Sequence, residues 1–483
     1  MSEKELVLSV EELCHRRTVK KVVGQQSHEA DNQSFVVPIS DMPKEVNDVT
    51  AGVNNHENVK NIPAGSSSTT EQGRWRKKKS KPKIQKVPKL LQGRKNDKDF
   101  NYFVPRVVSI GPIHHRNEKL EEESKNELAA KFIGESKKAA QDLFDSIKNK
   151  IAHLKTKFNE QVLKDYDDDT LSLMLVVDGC FILQFIKMYS KPEDDDSEIA
   201  NINSGQVALI KQDLFLLENQ IPYEVLETLM ESTPSSKVDN NEEMKKSVKK
   251  FIQMNVMSPS KYSENIKIDL DNKPLHLLDL LRSALLQGRA EGHRDPDPEY
   301  TRTFRNLQDV KAAGVMVEPS NSCSLRDVSF SSFCFNGYLK LPPLIIDDST
   351  KRNFFNLVAY EMCPDNFSTG RGVTCCLYFL NSLIDNGEDA KDMRMANIFR
   401  NRLNNDDDVA KFFNDIGTEL VPSPAYVDVK KKIQNHCDSK LTVWVAQAYR
   451  DHFSSPWFVL ALIATLIVLA LTGVQTWFTI NPR

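Results

Sequence analysis

The chain of 483 residues has no cysteine pair at zinc-ligand spacing, its adjacent Cys375-Cys376 lying in an apolar run. Its eight cysteines are Cys14, Cys180, Cys323, Cys334, Cys363, Cys375, Cys376 and Cys437, and none stands as C-x-x-C. Zinc sites usually take paired ligands at two to four intervening residues, so no metal is expected. A disulfide framework is not expected at this density either, and buried free thiols are. Common catalytic signatures are also missing: there is no G-x-S-x-G, no G-x-x-x-x-G-K-[ST] and no H-E-x-x-H. Gly370-Arg371-Gly372 lacks the third glycine of a dinucleotide fingerprint. No charge of one sign dominates, since 64 Lys and Arg face 67 Asp and Glu for a net charge of -3. Bulk charge therefore names no polyanionic partner, and no motif supports nucleic-acid binding. In the first thirty residues the longest apolar run is Leu6-Val7-Leu8, short of the roughly 7–15 residues of a signal-peptide core.

What is present is one long apolar run at the end. Trp457 to Val474 carry no charge and read WFVLALIATLIVLALTGV. As a helix this stretch reaches ~27 Å, near the ~30 Å hydrocarbon thickness of a bilayer. Trp457 and Trp477 sit where indoles meet the two headgroup interfaces, and Pro456 occupies a first helical turn. A buried core helix is the competing reading, but few core helices stay apolar on all faces for this length. The expectation is a transmembrane helix over 456–476, a short tail over 477–483, and a lipid bilayer as partner. With no leader sequence the simplest route is a post-translationally inserted tail anchor with the body in the cytosol. Lys440 and Arg450 before the span, against Arg483 after it, agree with that sidedness.

Residues 1–83 read as a disordered polar N-terminus, with Phe35 as its aromatic before Trp75. It includes the linker Gly65–Gly73 and ends in a basic run. Arg74, Trp75, Arg76, Lys77, Lys78 and Lys79 open that run and could contact anionic lipid, although a solvated linker is the simpler reading. Residues 84–452 read as one α-rich domain. From Asn117 to Lys164, Ala140, Leu143, Ile147, Ile151, Leu154 and Phe158 recur at helical spacing. Met174–Met188 reads as a buried helix, Ile210–Met230 as a helical pair bent at Pro222, and His276–Leu286 as a further helix. Glu231–Glu243 and Gln287–Tyr300 read as polar loops. Val328–Asp347 carries Asn336-Gly337 and reads as a hairpin. Asp347 or Asp348 then caps a helix, and further helices are expected over 371–385, 390–403, 406–420 and 425–450. The fold class is mainly α: a large helical domain with a small β-hairpin element and one C-terminal transmembrane helix.

Candidates for chemistry are few. His114-His115 are adjacent, and neighbours on a regular element point apart, so a structural turn outweighs a metal site. His276 and Asp279 lie one helical turn apart, as a base and its orienting carboxylate would, yet no nucleophile stands beside them. The acidic triplets Asp167–Asp169, Asp194–Asp196 and Asp406–Asp408 could hold a hard cation, but solvated loops are the better reading, the last at a helix start. Asn32 and Asn366 fit the N-x-[ST] pattern, so a glycan on Asn366 would place the body outside the cell.

From Ile84 to His115 the chain reads IQKVPKLLQGRKNDKDFNYFVPRVVSIGPIHH, and here it resembles the plant family catalogued as domain of unknown function 247. Further blocks follow in family order: MLVVDGCFILQF (174–185), DLFLLENQIPYEVL (213–226), HLLDLLR (276–282), GYLKLPPLIIDDST (337–350), NLVAYEMC (356–363) and the C-terminal run 449–480. The resemblance spans about 84–480, with Ile113 where the family usually has Tyr and Arg116 where it often has Gly. It implies a single-pass plant membrane protein without an accepted catalytic residue set. Some grass members are associated with self-incompatibility, which implies recognition of a partner protein. The motif residues Gly111, Pro112, His114, His115, Asp178, Gly179, Glu218, Asn219, Gln220, Pro222, His276, Asp279, Pro342, Pro343 and Asp347 are then read as structural. No catalytic residue, cofactor or metal ligand is assigned. The expected function is protein–protein recognition at a membrane. Two alternatives remain: a hydrolase or transferase using Asp178, Glu218 and His276 or His114, and a passive tether. Neither the partner nor the oligomeric state is specified by these patterns.

Overall fold

The computed structural model describes residues 81–91, 102–115, 117, 120, 123–136, 138–190, 202–231, 239–288, 305–333, 335–417, 420, 426–439 and 456–480. The expectations for 1–80, including Arg74–Lys79 and Asn32, lie outside that set. So do those for Asp194–Asp196, most of Gln287–Tyr300, Lys440, Arg450 and the side chain of Trp457.

A helix over Asp168–Tyr189 organises the first half. Call the preceding helices α1 (Glu123–Ser136), α2 (Ala140–Lys148) and α3 (Ile151–Lys155), and this one α4. It starts where it does because the Asp167 side chain accepts from the Thr170 N–H at 2.7 Å and Asp168 and Asp169 face the positive end of the helix dipole. The triplet Asp167–Asp169 is thus a helix start and not a solvated loop. From Leu171 to Ile186 almost every side chain is buried, because α1, α2, α6 (Tyr223–Glu231) and α7 (Asp239–Asn255) all pack on α4. Truncating a residue such as Phe181 to alanine there should cost about 3–5 kcal/mol. Gly179 sets the approach of α6: a Cβ would lie 2.5 Å from Leu229 Cδ1.

Several expected elements divide or shift. The 117–164 pattern resolves into α1, α2, α3 and a 3-10 turn at Glu160–Val162. Phe158 is buried beyond α3, where residues 84 and 158 form an isolated bridge. The Ile210–Met230 segment is not one helix bent at Pro222. Helix α5 (Ser204–Asp213) stops, a buried non-helical stretch follows, and Pro222 immediately precedes α6. Glu243 lies inside α7, whose Val248, Phe251 and Ile252 are buried; the polar composition of its first turns hid it. After α8 (Ser260–Ser263), α9 (Leu277–Leu285) forms with His276 as its N-cap.

The β-structure is larger than a hairpin. Beyond α10 (Leu307–Ala312), strands β1 (Val315–Pro319), β2 (Ser329–Phe333) and β3 (Asn336–Leu341) form a sheet in the order β1-β3-β2. β1 pairs with β3 in parallel and β2 with β3 antiparallel. Phe333 pairs with Asn336, so Asn336-Gly337 opens β3 and is not the turn. Gly337 is needed for packing, since a Cβ there would lie 2.8 Å from Val315 Cγ2. A second sheet pairs β4 (Leu344–Ile346) in parallel with β5 (Phe399–Asn401).

Helix α11 (Asp348–Met362) is capped by Asp347, whose carboxylate accepts from the Thr350 N–H at 2.8 Å. Helices α12 (Gly372–Asn381), α13 (Gly387–Met395), α14 (Asp406–Gly417) and α15 (Val427–Asp438) follow. The expected helix over 390–403 ends at Met395, Asn397 turns with φ +59°, and the chain enters β5. Cys180, Cys323, Cys363, Cys375, Cys376 and Cys437 are free and buried. The last element, α16 (Pro456–Ile480), is a 25-residue apolar helix whose described side chains from Leu460 onward are exposed, Trp477 among them.

Candidate functional site

Residues 102–115 belong to no helix or strand, yet 107–112 are buried. Backbone N–H and C=O groups in such a segment need partners that no ladder supplies. Side chains from distant elements supply them. Asp213, at the end of α5, accepts from the N–H groups of Arg106, Val107 and Val108 at 3.0, 2.8 and 3.2 Å. Asn219 accepts from the Ile110 N–H at 2.7 Å and donates to the Val108 carbonyl at 3.1 Å. Asp178 of α4 accepts from the Gly111 N–H at 2.7 Å and meets Lys125 Nζ at 3.2 Å. Lys125 in turn donates to the Ser109 carbonyl at 3.1 Å. From α11, Arg352 donates to the Tyr102 and Val104 carbonyls, and Asn356 donates to the Tyr102 carbonyl at 2.9 Å.

The remaining motif residues extend this belt. Gly111 has φ +70°, and a Cβ on it would lie 2.4 Å from the Gln220 carbonyl oxygen. The Pro112 carbonyl accepts from Tyr166 Oη at 2.9 Å, and the His115 ring meets Tyr166 edge-on. Glu218 accepts from the Val87 N–H at 2.8 Å with one oxygen, while the other lies 3.2 Å from His114 Nε2. Gln220 donates to the Leu214 and Leu216 carbonyls at 2.8 Å and accepts from the Leu278 N–H at 3.3 Å. That last bond links the belt to α9. There His276 Nδ1 accepts from the Asp279 N–H at 3.1 Å and so caps α9, and Asp279 accepts from the Leu275 N–H at 2.9 Å.

Burial dominates the electrostatics. The His276 imidazole is fully buried, which pushes its pKa down to about 4 against the opposing pull of Asp279. Burial raises the Asp213 carboxyl, and the three backbone bonds and Arg352 only partly counter it. Burial also lowers Arg352 to about 10, with Asp213 working the other way. Besides Lys125–Asp178 and Arg352–Asp213, a third buried ion pair joins Arg282 Nε to Glu361 Oε1 at 2.7 Å. Glu361 also accepts from the Val373 and Thr374 N–H groups at 3.1 and 2.8 Å, at the start of α12.

The fold therefore gathers His114, Asp178, Glu218, Asn219 and Gln220 around residues 102–115, with His276 and Asp279 one bond further. Pro342, Pro343 and Asp347 lie apart, between β3 and α11, where the Pro343 carbonyl accepts from Ser258 Oγ at 2.9 Å. Among the described residues no hydroxyl or thiol is hydrogen-bonded to His114 or His276, and no group of three His, Cys, Asp or Glu could hold a metal ion. Sequence reading missed Asp213, Arg352, Asn356, Lys125, Arg282 and Glu361. The available signal was a charge set inside or beside an apolar run, as at Asp213 before LFLL and Arg352 before NFF.

Comparison with known proteins follows the same span. Residues 84–471 match the family model described as a plant protein of unknown function, DUF247. The UPF0481 protein At3g47200 of Arabidopsis thaliana is 27% identical over 403 residues, covering 77% of this chain and 82% of that protein. The putative UPF0481 protein At3g02645 of the same plant is 25% identical over 175 residues, 36% of this chain and 32% of that protein. No solved structure matches. With a match running through nearly all of the helical body, the chain belongs to the DUF247 family of plant proteins.

Proposed function

We propose that the protein is a membrane-anchored recognition module with no catalytic step, its span formed by α16 and its helical body held on the cytosolic side. The observation that carries the reading is the contrast between its two long apolar helices. Asp168–Tyr189 is buried in the body, whereas Leu460–Trp477, of similar hydropathy, is exposed throughout. An exposed apolar helix of 25 residues, ~37 Å long, is costly in water and suited to lipid. The commitment of Asp178, Asp213, Glu218 and Asn219 to backbone groups supports a scaffold for surfaces over a reacting centre.

Alkaline carbonate extraction of plant membranes tests the anchor: the full chain should stay in the pellet, and release into the wash would overturn it. Sidedness is read by protease treatment of sealed vesicles together with proximity labelling from the body in intact cells. Asn366 is a poor reporter of sidedness, because its side chain is fully buried and its amide donates to the Tyr360 carbonyl at 2.7 Å.

A second reading keeps a hydrolase or transferase, and one contact favours it: His114 Nε2 lies 3.2 Å from Glu218 Oε2, with 14% and 10% of those side chains exposed. Both residues can move a proton and both reach solvent. Loss of a measurable turnover on His114→Ala, with the fold intact, would establish it.

A further inference from the structure

Where β2 reverses into β3, the three-stranded sheet ends in bare aromatic surface. Phe333 is 75% exposed, more than any other large apolar side chain among the described residues, and Phe335 is 47% exposed. Met316 of β1, 46% exposed, lies opposite Tyr338 of β3. That row is two positions from the Asn336–Phe333 pair and so on the same face of the sheet. The next row on that face sets Glu318 opposite Lys340, and Lys340 opposite Ser329. The face is thus graded, apolar at the tip and charged at its base. From Val328 to Leu339 the sequence carries no charge, so moving the tip into an apolar phase strips water from no ion of its own. Just ahead of β1, Lys311 is paired with Asp392 at 2.5 Å. Exposed apolar surface of this kind marks a contact with protein or with a membrane.

The place of the tip in the fold favours the membrane. Helix α15 packs on β2, with the His436 ring 5.7 Å from that of Phe330. Asp438 ends α15 two residues beyond His436, and Phe333 is three residues along β2 from Phe330, roughly 10 Å. The last described element of the body therefore ends beside this hairpin. Residues 440–455, at most about 58 Å when fully extended, separate it from α16. We infer that the β2–β3 tip is a second membrane contact: Phe333 and Phe335 enter the headgroup–acyl boundary of the bilayer that α16 spans, while Glu318 and Lys340 stay in water. The inference rests on the anchored reading above and adds an orientation to it, with this end of the sheet facing lipid. Because the tip is uncharged, neutral lipid suffices.

The test replaces one residue at a time by the photocrosslinker p-benzoylphenylalanine, in the full chain reconstituted in phosphatidylcholine vesicles. After irradiation, mass spectrometry identifies what each position has captured. The probe at Phe333 and, in a second protein, at Phe335 should capture lipid through an acyl chain. At Leu90, which is 68% exposed beside the motif belt, and at Lys340, at the charged base of the same face, it should not. The probe at Leu466 in α16 reports the anchor by itself. Lipid captured at Leu466 but at neither Phe333 nor Phe335 would overturn this inference and leave the anchor standing, whereas no lipid at Leu466 would remove both. Equal capture at Phe333, Lys340 and Leu90 would show chance collision, and a bond from Phe333 to a second copy of the chain would show the tip covered by protein. Either result overturns the assignment.

Discussion

The guanidinium of Arg352 lies 3.3 Å from the carboxylate of Asp213, and the two side chains are 1% and 0% exposed. They are 139 positions apart in sequence, and together they hold residues 102–108, which have no regular structure. Removing one partner leaves the other charge buried and unpaired. Asp213→Asn and Arg352→Met should each destabilise the body by about 3–5 kcal/mol. The double variant should cost less than the sum of the two by at least about 1 kcal/mol. Chemical-denaturation midpoints of the four proteins measure this, and strict additivity would show that the two charges act independently.

Gly111 makes a sharper test of the belt. With φ +70° and a Cβ clash against the Gln220 carbonyl, Gly111→Ala must displace backbone and should cost several kcal/mol, on the order of 3. Gly288 also has a positive φ, +96°, but nothing lies within 4 Å of where its Cβ would be. Gly288→Ala should cost about 1–2 kcal/mol, from backbone strain alone. Comparable melting-temperature shifts for the two variants would mean that the close approach at Gln220 is unimportant.

Helix interiors were legible wherever burial and periodicity agreed. Met174–Met188 and His276–Leu286 fall on α4 and α9 because apolar side chains there answer to a local helical pattern. What could not be read is non-local. The stretch Leu214–Leu217 continues an apolar run that looks helical, but Asn356, 139 residues later, accepts the Leu217 N–H, and Gln220 takes the carbonyls of 214 and 216. The chain turns because those partners exist, and no local pattern announces them. Parallel pairing of β1 with β3 and of β4 with β5 is non-local for the same reason. At the candidate site, Asp178, Glu218, Asn219 and Gln220 were recognisable as polar residues in apolar surroundings. Asp213 and Arg352 carry the same signal, a charge beside an apolar run, but which distant backbone groups they hold is not written in the local pattern.

His276 should make the body sensitive to mild acid. In the unfolded chain its imidazole takes a proton near pH 6.5, while in the folded body it does so only near 4. Between those values the unfolded state holds more protons, so stability is complete above about pH 6.5 and falls as pH drops, by on the order of 3 kcal/mol over the whole interval. His276→Asn keeps a capping acceptor for the Asp279 N–H and removes the titration. Its unfolding midpoint should fall less between pH 7 and pH 5 than that of the native chain. Parallel curves would mean that the His276 environment is more open than its burial indicates.

The two apolar helices should respond oppositely to the same insult. An arginine at the centre of a span costs about 2.5–3.5 kcal/mol on insertion scales, so Leu466→Arg in α16 should move a substantial fraction of the chain from carbonate-washed membranes into the supernatant. Its helical body should stay as resistant to trypsin as the native one, because Leu466 is exposed. Val176→Arg in α4 places a charge where 3% of the side chain is exposed and α1, α2, α6 and α7 converge. That variant should remain in the membrane pellet while its body becomes trypsin-sensitive. Leu466→Ala, which keeps the helix apolar, serves as the control and should behave as the native chain does. If Leu466→Arg is retained like Leu466→Ala, α16 does not cross the bilayer, and its exposed apolar surface must be covered by protein.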